Sequence, residues 1–329
     1  PPRMPMRLSV ETTPGSIIDR FKGAQLALSP DGVRIVAAEY EPTGNWHLAV
    51  RRFDSGQFVP IAGTDNAWRP FFSPDGEWLG FFADGKLKKI PIDGGAPVTL
   101  CEVHGYALGA SWGDDGTIVA AFNEGSTGLV RVPSGGGAPT PLTQLSTKDV
   151  EIRHAWPQVL PGSQEVLFTT YHTDPYQEGD ITDGDVGVVV QKTGERKPVH
   201  HGGFLSRYLP SGHLVYLRES TLWAVPFDLS RLAVTGEPQP VLEEVNGVDF
   251  DVSSTGTLAY VSSRMELSDP YAIWWIDGAG QTTPLHPTPG VYENLRFSPD
   301  GKRLAFEIAA SGSRSDIWVK DLGRDTTSR

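Results

Sequence analysis

The chain has 329 residues, with 28 Lys and Arg against 40 Asp and Glu and a formal net charge of −12. That balance argues against nucleic acid or an anionic membrane surface as the main partner, because both demand a basic face. A single cysteine, Cys101, excludes an internal disulfide but leaves the compartment undecided. No apolar stretch approaches the roughly 18 residues of a membrane span, and no cleavable signal is visible.

Taken in chain order, the start Pro1-Pro2-Arg3-Met4-Pro5 reads as a linker left by a domain cut, so the chain is expected to be a fragment of a larger protein. Residues 7–12 then alternate apolar and polar like an edge strand. Beyond them one turn chemistry recurs. The clearest copies are Ser29-Pro30-Asp31-Gly32, Ser73-Pro74-Asp75-Gly76 and Ser298-Pro299-Asp300-Gly301. Weaker copies are Gly113-Asp114-Asp115-Gly116, Leu160-Pro161-Gly162-Ser163, Leu209-Pro210-Ser211-Gly212 and Ser253-Ser254-Thr255-Gly256. Their last residues fall at 32, 76, 116, 163, 212, 256 and 301, in steps of 44, 40, 47, 49, 44 and 45. A period of this size is the signature of a repeat architecture.

Each tetrad sits between two short apolar runs. Proline presets φ at the second turn position, the aspartate can bond nearby backbone N–H groups, and glycine accepts a positive φ without steric cost. A third strand is expected at matching offsets, over 48–53, 87–92, 129–132, 186–190, 222–227, 273–276 and 317–322. A fourth, shorter run follows at 58–61, 98–100, 139–142, 198–200, 238–242 and 282–285. Four short antiparallel strands per repeat describe one propeller blade. The 37 glycines and 27 prolines punctuate the chain too densely for long helices. The expected fold is therefore all-β, one propeller domain of four-stranded antiparallel blades over 1–329. Seven blades are expected, with six blades or an incomplete array as the alternatives. The seventh repeat ends at Thr326-Thr327-Ser328-Arg329, where an outer strand is due. The strand at 7–12 is expected to supply it, closing the last blade and removing an open edge.

The S-P-D-G turn followed by Asp316-Ile317-Trp318-Val319-Lys320-Asp321-Leu322 resembles the repeats of TolB-like (PD40, WD40-like) propellers, which also occur in prolyl-oligopeptidase-type peptidases. A closer resemblance is to the propeller region of bacterial receptor-type serine/threonine protein kinases. It is carried by Thr221-Leu222-Trp223-Ala224-Val225-Pro226-Phe227-Asp228 with Thr235-Gly236-Glu237-Pro238, by Gly85-Lys86-Leu87-Lys88-Lys89-Ile90, and by Asp251-Val252-Ser253 with Leu258-Ala259-Tyr260. The resemblance implies an extracytoplasmic, periplasmic or cell-surface, sensory or protein-binding domain, and it names no ligand.

Catalytic signatures are missing. There is no H-R-D loop, and Asp249-Phe250-Asp251 departs from D-F-G at its third residue and lies on an expected inner strand. Gly80 to Lys86 fits the spacing G-x-x-x-x-G-K, but Leu87 follows where Ser or Thr and a helix are required, so it reads as a β-turn. Neither G-x-S-x-G nor H-E-x-x-H occurs.

The innermost strand of each blade faces the axis, and its first residues ring one opening. Counting back from the turns places Trp68, Arg69, Tyr106, Arg153, His154, Asp249, Tyr292, Glu293 and Asn294 near that rim. Aromatic faces, guanidinium forks and carboxylates together suit a small polar ligand or a peptide end, and the bland alternative is that they pair with one another. Trp112 and Trp156 are expected to pack between blades. In the fourth repeat a long insertion carries Asp174, Glu178, Asp180, Asp183 and Asp185. Asp180, Asp183 and Asp185 are its candidate calcium ligands, against the alternative of a solvated acidic loop. No other cofactor is expected. His200 and His201, adjacent on a strand, point to opposite faces and should not share one ion.

Three functions follow: a non-catalytic sensory or binding propeller, an enzyme (hydrolase or lyase) acting at the channel mouth, and an architectural docking module. The first is favoured, because repeats are present and catalytic signatures are not. The enzyme reading requires titratable groups with shifted pKa values around Arg153, His154 and Asp249. The docking reading requires an exposed apolar patch.

Overall fold

The computed structural model describes residues 10, 12–13, 26–40, 45–54, 56–123, 128–172, 184–262, 271–276, 281–290, 292–309 and 315–329. Every regular element among them is a strand, and the chain is an all-β propeller fold of antiparallel blades. It forms two compact units, Pro1–Ser263 and Arg264–Arg329.

In the first unit, six inner strands each lead through one of the repeated turns into an antiparallel second strand. They are Leu26–Leu28, Trp68–Phe72, Tyr106–Trp112, Arg153–Val159, Phe204–Leu209 and Val245–Val252. Blades one to four are four-stranded sheets, and the fifth carries one further short strand, Ala233–Val234. The sixth contributes Val245–Val252 and Leu258–Ser262 to this unit. Successive inner strands are in contact, and the sixth meets the first.

The second strands are continuous apolar runs because neighbouring blades cover both of their faces. Val36 to Ala38, Leu79 with Phe81 and Phe82, Ile118 to Ala121, and Val166 to Phe168 are all buried. Their side chains build clusters between blades, such as Leu48, Ile61, Leu79, Phe81 and Ile90 between the first and second. Each such side chain contributes about 1.5–3 kcal/mol relative to exposure. Gly80 is where it is for the same reason. A Cβ there would lie 2.2 Å from the Phe71 ring, so packing rather than phosphate binding accounts for the glycine of the G-x-x-x-x-G-K spacing.

The turns follow the expected chemistry. Ser29, Ser73 and Ser298 each donate a hydroxyl hydrogen bond to the turn aspartate and accept the backbone N–H of the residue five positions on. The glycine N–H closes the turn onto the serine carbonyl. Bonding from these serines holds the Asp31, Asp75 and Asp300 carboxyls below their usual range.

The second unit contains the pair Tyr271–Ile276 and Thr282–Gly290 and the four-stranded seventh sheet. In that sheet the outer position is held by Thr326–Ser328 paired to Ser315–Asp321. The chain reverses because Asp321 Oδ1 accepts the N–H groups of Gly323 and Arg324, both at 3.0 Å. The seventh repeat thus carries an outer strand of its own, where the sequence reading had ended it without one. The strand expected at 7–12 lies outside the described residues apart from Val10 and Thr12. Val10 packs against the first-blade cluster of Leu28, Ile35, Ala37, Ala49 and Phe58.

Candidate binding site

A kink repeated in the inner strands shapes the centre of the first unit. In the second blade Trp68 pairs with Phe82 but Phe71 pairs with Gly80, so one residue is extra. The same slip occurs between Ala107 and Ala110, Ala155 and Gln158, and Phe204 and Arg207. At each bulge, four residues before the turn, one residue has positive φ: Arg69 (50°), Gly109 (101°), Trp156 (55°) and Leu205 (48°). Bulges of this kind bend a strand and re-aim its side chains, and they gather at rims and sites. The second unit repeats the device between Glu293 and Arg296, with Asn294 at 54°.

Beyond the bulges, the second halves of the inner strands and their turns enclose a cavity of about 450 Å³. Arg69, Trp112, Trp156, Gln158, Arg207 and Asp251 are among its walls. In three blades the residue two before the turn ties neighbouring blades together. Ser111 Oγ accepts the Val159 N–H at 2.9 Å, and Gln158 Oε1 accepts the Tyr208 N–H at 2.6 Å. Asp251 Oδ2 accepts the Leu28 N–H at 2.8 Å, carrying the pattern from the sixth blade to the first. Arg207 occupies the equivalent place in the fifth blade, its Nε 3.8 Å from Asp251 Oδ1. Burial pushes the Asp251 carboxyl up, against the pull of Arg207, and pushes the Arg207 guanidinium down.

Arg69 is buried, with its guanidinium carbon 4.6 Å from the Trp156 ring centroid, 5.2 Å from Trp68 and 5.5 Å from Tyr106. Such cation–π contacts are worth about 0.5–2 kcal/mol each. The structure therefore brings together three of the expected rim residues, Trp68, Arg69 and Tyr106, with Trp156, which both packs in an inter-blade cluster and walls the cavity.

The rest of the rim separates. Among its described residues, Arg69 reaches the cavity, while Trp68, Tyr106, Arg153, His154 and Asp249 do not. The cavity lies at the turn end of the strands, opposite to the first residues of the inner strands where the sequence places the rim. Tyr292, Glu293 and Asn294 belong to the second unit, where Tyr292 is buried against His286 and Phe306. Asp249 is buried and does not reach the cavity, whereas Asp251, two residues later on the same strand, walls it, as does Asp114 of the third-blade turn.

His154 is covered by the segment that precedes its strand. Thr143 Oγ1 lies 2.8 Å from Nδ1, and Arg196 Nη1 and Glu151 Oε2 lie 3.1 and 3.3 Å from Nε2. A guanidinium donor and a carboxylate acceptor thus both stand at Nε2, and a hydroxyl stands at Nδ1. Burial pushes the His154 imidazole down to about 4, against the pull of Glu151. Burial opposes ionisation of Glu151 too, yet the Arg196 bond and the Ser146 N–H hold its carboxyl below the usual range.

Of the calcium candidates, Asp180 and Asp183 lie outside the described residues. Asp185 Oδ2 lies 3.3 Å from His172 Nε2 and 3.1 Å from His201 Nδ1, and its Oδ1 accepts the Gly202 N–H. His200 turns away and packs on the Tyr216 ring at 4.5 Å, so the two adjacent histidines do part. Among the described residues no group of three or more His, Cys, Asp or Glu is arranged to hold a metal ion. Among them, too, no helix is long and apolar enough to cross a membrane.

No protein-family model and no curated protein matches the sequence. Solved structures do match the fold. The structure of a putative TolB from Agrobacterium tumefaciens is similar at a TM-score of 0.53 and 14% identity, over 73% of this chain and 90% of that one. An oligogalacturonate lyase in complex with manganese is similar at 0.51 and 14% identity, over 90% and 87%. A chain of the mitotic checkpoint complex is similar at 0.52 and 15% identity, over 97% and 95%. At these identities the likeness is one of fold: the chain is a β-propeller akin in architecture to TolB-like and WD40-like proteins.

Proposed function

We propose that this chain is a non-catalytic sensing propeller, the extracytoplasmic ligand-binding region of a bacterial receptor kinase, and that its ligand enters the central cavity. The observation that carries the reading is the cavity itself. About 450 Å³ is walled by aromatic residues, Trp112, Trp156 and Tyr208 among them, and by polar and charged residues that include Arg69, Asp114, Gln158, Arg207 and Asp251, a mixture that suits a small polar ligand. The receptor-kinase assignment is supported by the sequence stretches at 221–238 and 251–260.

The test is thermal unfolding of the chain against a library of metabolites, short peptides and metal ions. A specific ligand raises the midpoint in a concentration-dependent way. A stabiliser whose effect disappears in Arg207→Gln supports the cavity. A library that leaves the midpoint unmoved contradicts the reading and favours docking of another protein.

One observation favours a catalytic alternative, the neutral His154 beside Glu151. Both of its ring nitrogens are already engaged, which weakens its case as a proton shuttle. Turnover of an oligogalacturonate lost in His154→Gln is the result that would support that alternative.

A further inference from the structure

The Arg207–Asp251 pair is unusual in being close but not bonded. Its N···O separation of 3.8 Å exceeds a hydrogen bond. Arg207 donates from Nη1 to the Ser206 carbonyl at 3.0 Å, a modest use of five N–H groups. Asp251 accepts the Leu28 and Val252 N–H groups, one on each oxygen, leaving lone pairs on both. The two side chains are 17% and 23% exposed and wall the cavity. A positive and a negative group thus stand side by side, each with bonding capacity left.

We infer that the cavity binds a free α-amino acid with an apolar side chain, its carboxylate on Arg207 and its ammonium on Asp251. The inference rests on the cavity being the ligand site. A monoanion or a monocation would complete one partner and leave the other facing a like charge in a poorly solvated space. An α-amino acid carries its two charges on one carbon, so they can lie antiparallel to the protein pair and complete a four-charge ring. A peptide end presents only one of the two. Phe71, Trp112, Trp156 and Tyr208 offer one part of the remaining wall to an apolar side chain, beside a polar part that holds Arg69, Asp114 and Gln158.

The experiment is calorimetric titration of the whole chain with L-leucine, L-phenylalanine, N-acetyl-L-leucine, L-leucinamide and trileucine. The inference predicts that one or both free amino acids bind, and that blocking either end weakens binding by about tenfold or more, the worth of one charge-assisted hydrogen bond. Asp251→Asn keeps an acceptor for Leu28, so it should weaken the free amino acid while binding N-acetyl-L-leucine at least as tightly, because the like charge that this monoanion faces is gone. Arg207→Gln should likewise weaken the free amino acid while binding L-leucinamide at least as tightly. Equal binding of free and blocked forms, or of trileucine and leucine, overturns the inference. If no amino acid binds but another library compound does and is lost in Arg207→Gln, the ligand class is wrong and the cavity stands. If no compound in either set depends on Arg207, both readings fall.

Discussion

Asp251 Oδ2 and the backbone N–H of Leu28 meet at 2.8 Å across 223 residues of chain. This bond repeats, between the sixth blade and the first, the side-chain tie that Ser111 and Gln158 make between successive blades. The sixth and first inner strands are therefore joined by the same kind of tie that joins the third to the fourth and the fourth to the fifth. Turn contacts reinforce the closure, because the Ser254 and Thr255 hydroxyls donate to the carbonyls of Pro30 and Asp31.

Asp251→Ala removes the acceptor of Leu28 and leaves Arg207 without its counter-charge. The expected loss is about 3 kcal/mol, typical of a mostly buried pair broken on one side. Asp251→Asn keeps the acceptor and should lose clearly less. Urea midpoints of the two variants against the parent chain make the comparison. Equal loss would mean that the Leu28 bond contributes nothing.

Two turn glycines with nearly the same φ, Gly32 at 72° and Gly76 at 73°, differ in their surroundings. A Cβ on Gly32 would lie 2.4–2.9 Å from hydroxyls of Thr255, Thr257 and Ser253, whereas a Cβ on Gly76 would meet only Pro30 Cδ at 3.4 Å. Alanine at either position carries the left-handed backbone cost of about 1–2 kcal/mol. Gly32→Ala adds an overpacking cost of about 1–3 kcal/mol. Thermal midpoints should therefore fall further for Gly32→Ala.

His154 predicts a specific acid sensitivity. Its folded value of about 4 lies below the ordinary 6.5. Above 6.5 both folded and unfolded forms are neutral and nothing is lost. As pH falls from 6.5 toward 4, the unfolded chain takes up a proton that the folded chain refuses, so stability declines, by up to about 3 kcal/mol. His154→Gln should flatten this window in a pH series of urea midpoints. The turn aspartates act lower, since their depressed values lose stability only as pH falls below the usual carboxylate range.

In the second unit, Asn294 is exposed and sits at φ 54° in the bulge. Asn294→Gly should be nearly neutral, while Asn294→Val should destabilise by about 1–2 kcal/mol, because a β-branched residue resists that backbone region. Hydrogen exchange over residues 292–309 separates the two variants. Equal protection in both would mean that the bulge is not needed.

The repeat and its turns were legible because serine, proline, aspartate and glycine each have a distinct local role at a fixed position. The bulges were not. In the first unit only Gly109 among the described bulge residues is of a type that advertises a positive φ, whereas Arg69, Trp156 and Leu205 are held there by packing and cation–π contact. A bulge alters which side chains reach the axis, so counting back from the turns found Asp249 but missed Asp251 and Arg207. The position two before the turn was the available signal in the third to sixth blades, where it holds Ser111, Gln158, Arg207 and Asp251, while the first two blades have Ala27 and Phe71 there. His154 was misplaced because its cover, Thr143 and Glu151, comes from the connection between blades, whose path no local pattern encodes. The outer strand at Thr326–Ser328 is three polar residues with no apolar alternation to mark it, and the Asp321 turn onto Gly323 and Arg324 is what sets it against Ser315–Asp321.

The most direct test of the cavity as the binding site is hydrogen exchange of the chain with and without the strongest stabiliser found in the ligand panel. The account predicts slowed exchange in the second halves of the inner strands and their turns, residues 69–74, 109–114, 156–161, 207–210 and 250–254. Slowed exchange confined to the outer strands or to residues 292–329, with these segments unchanged, would contradict it.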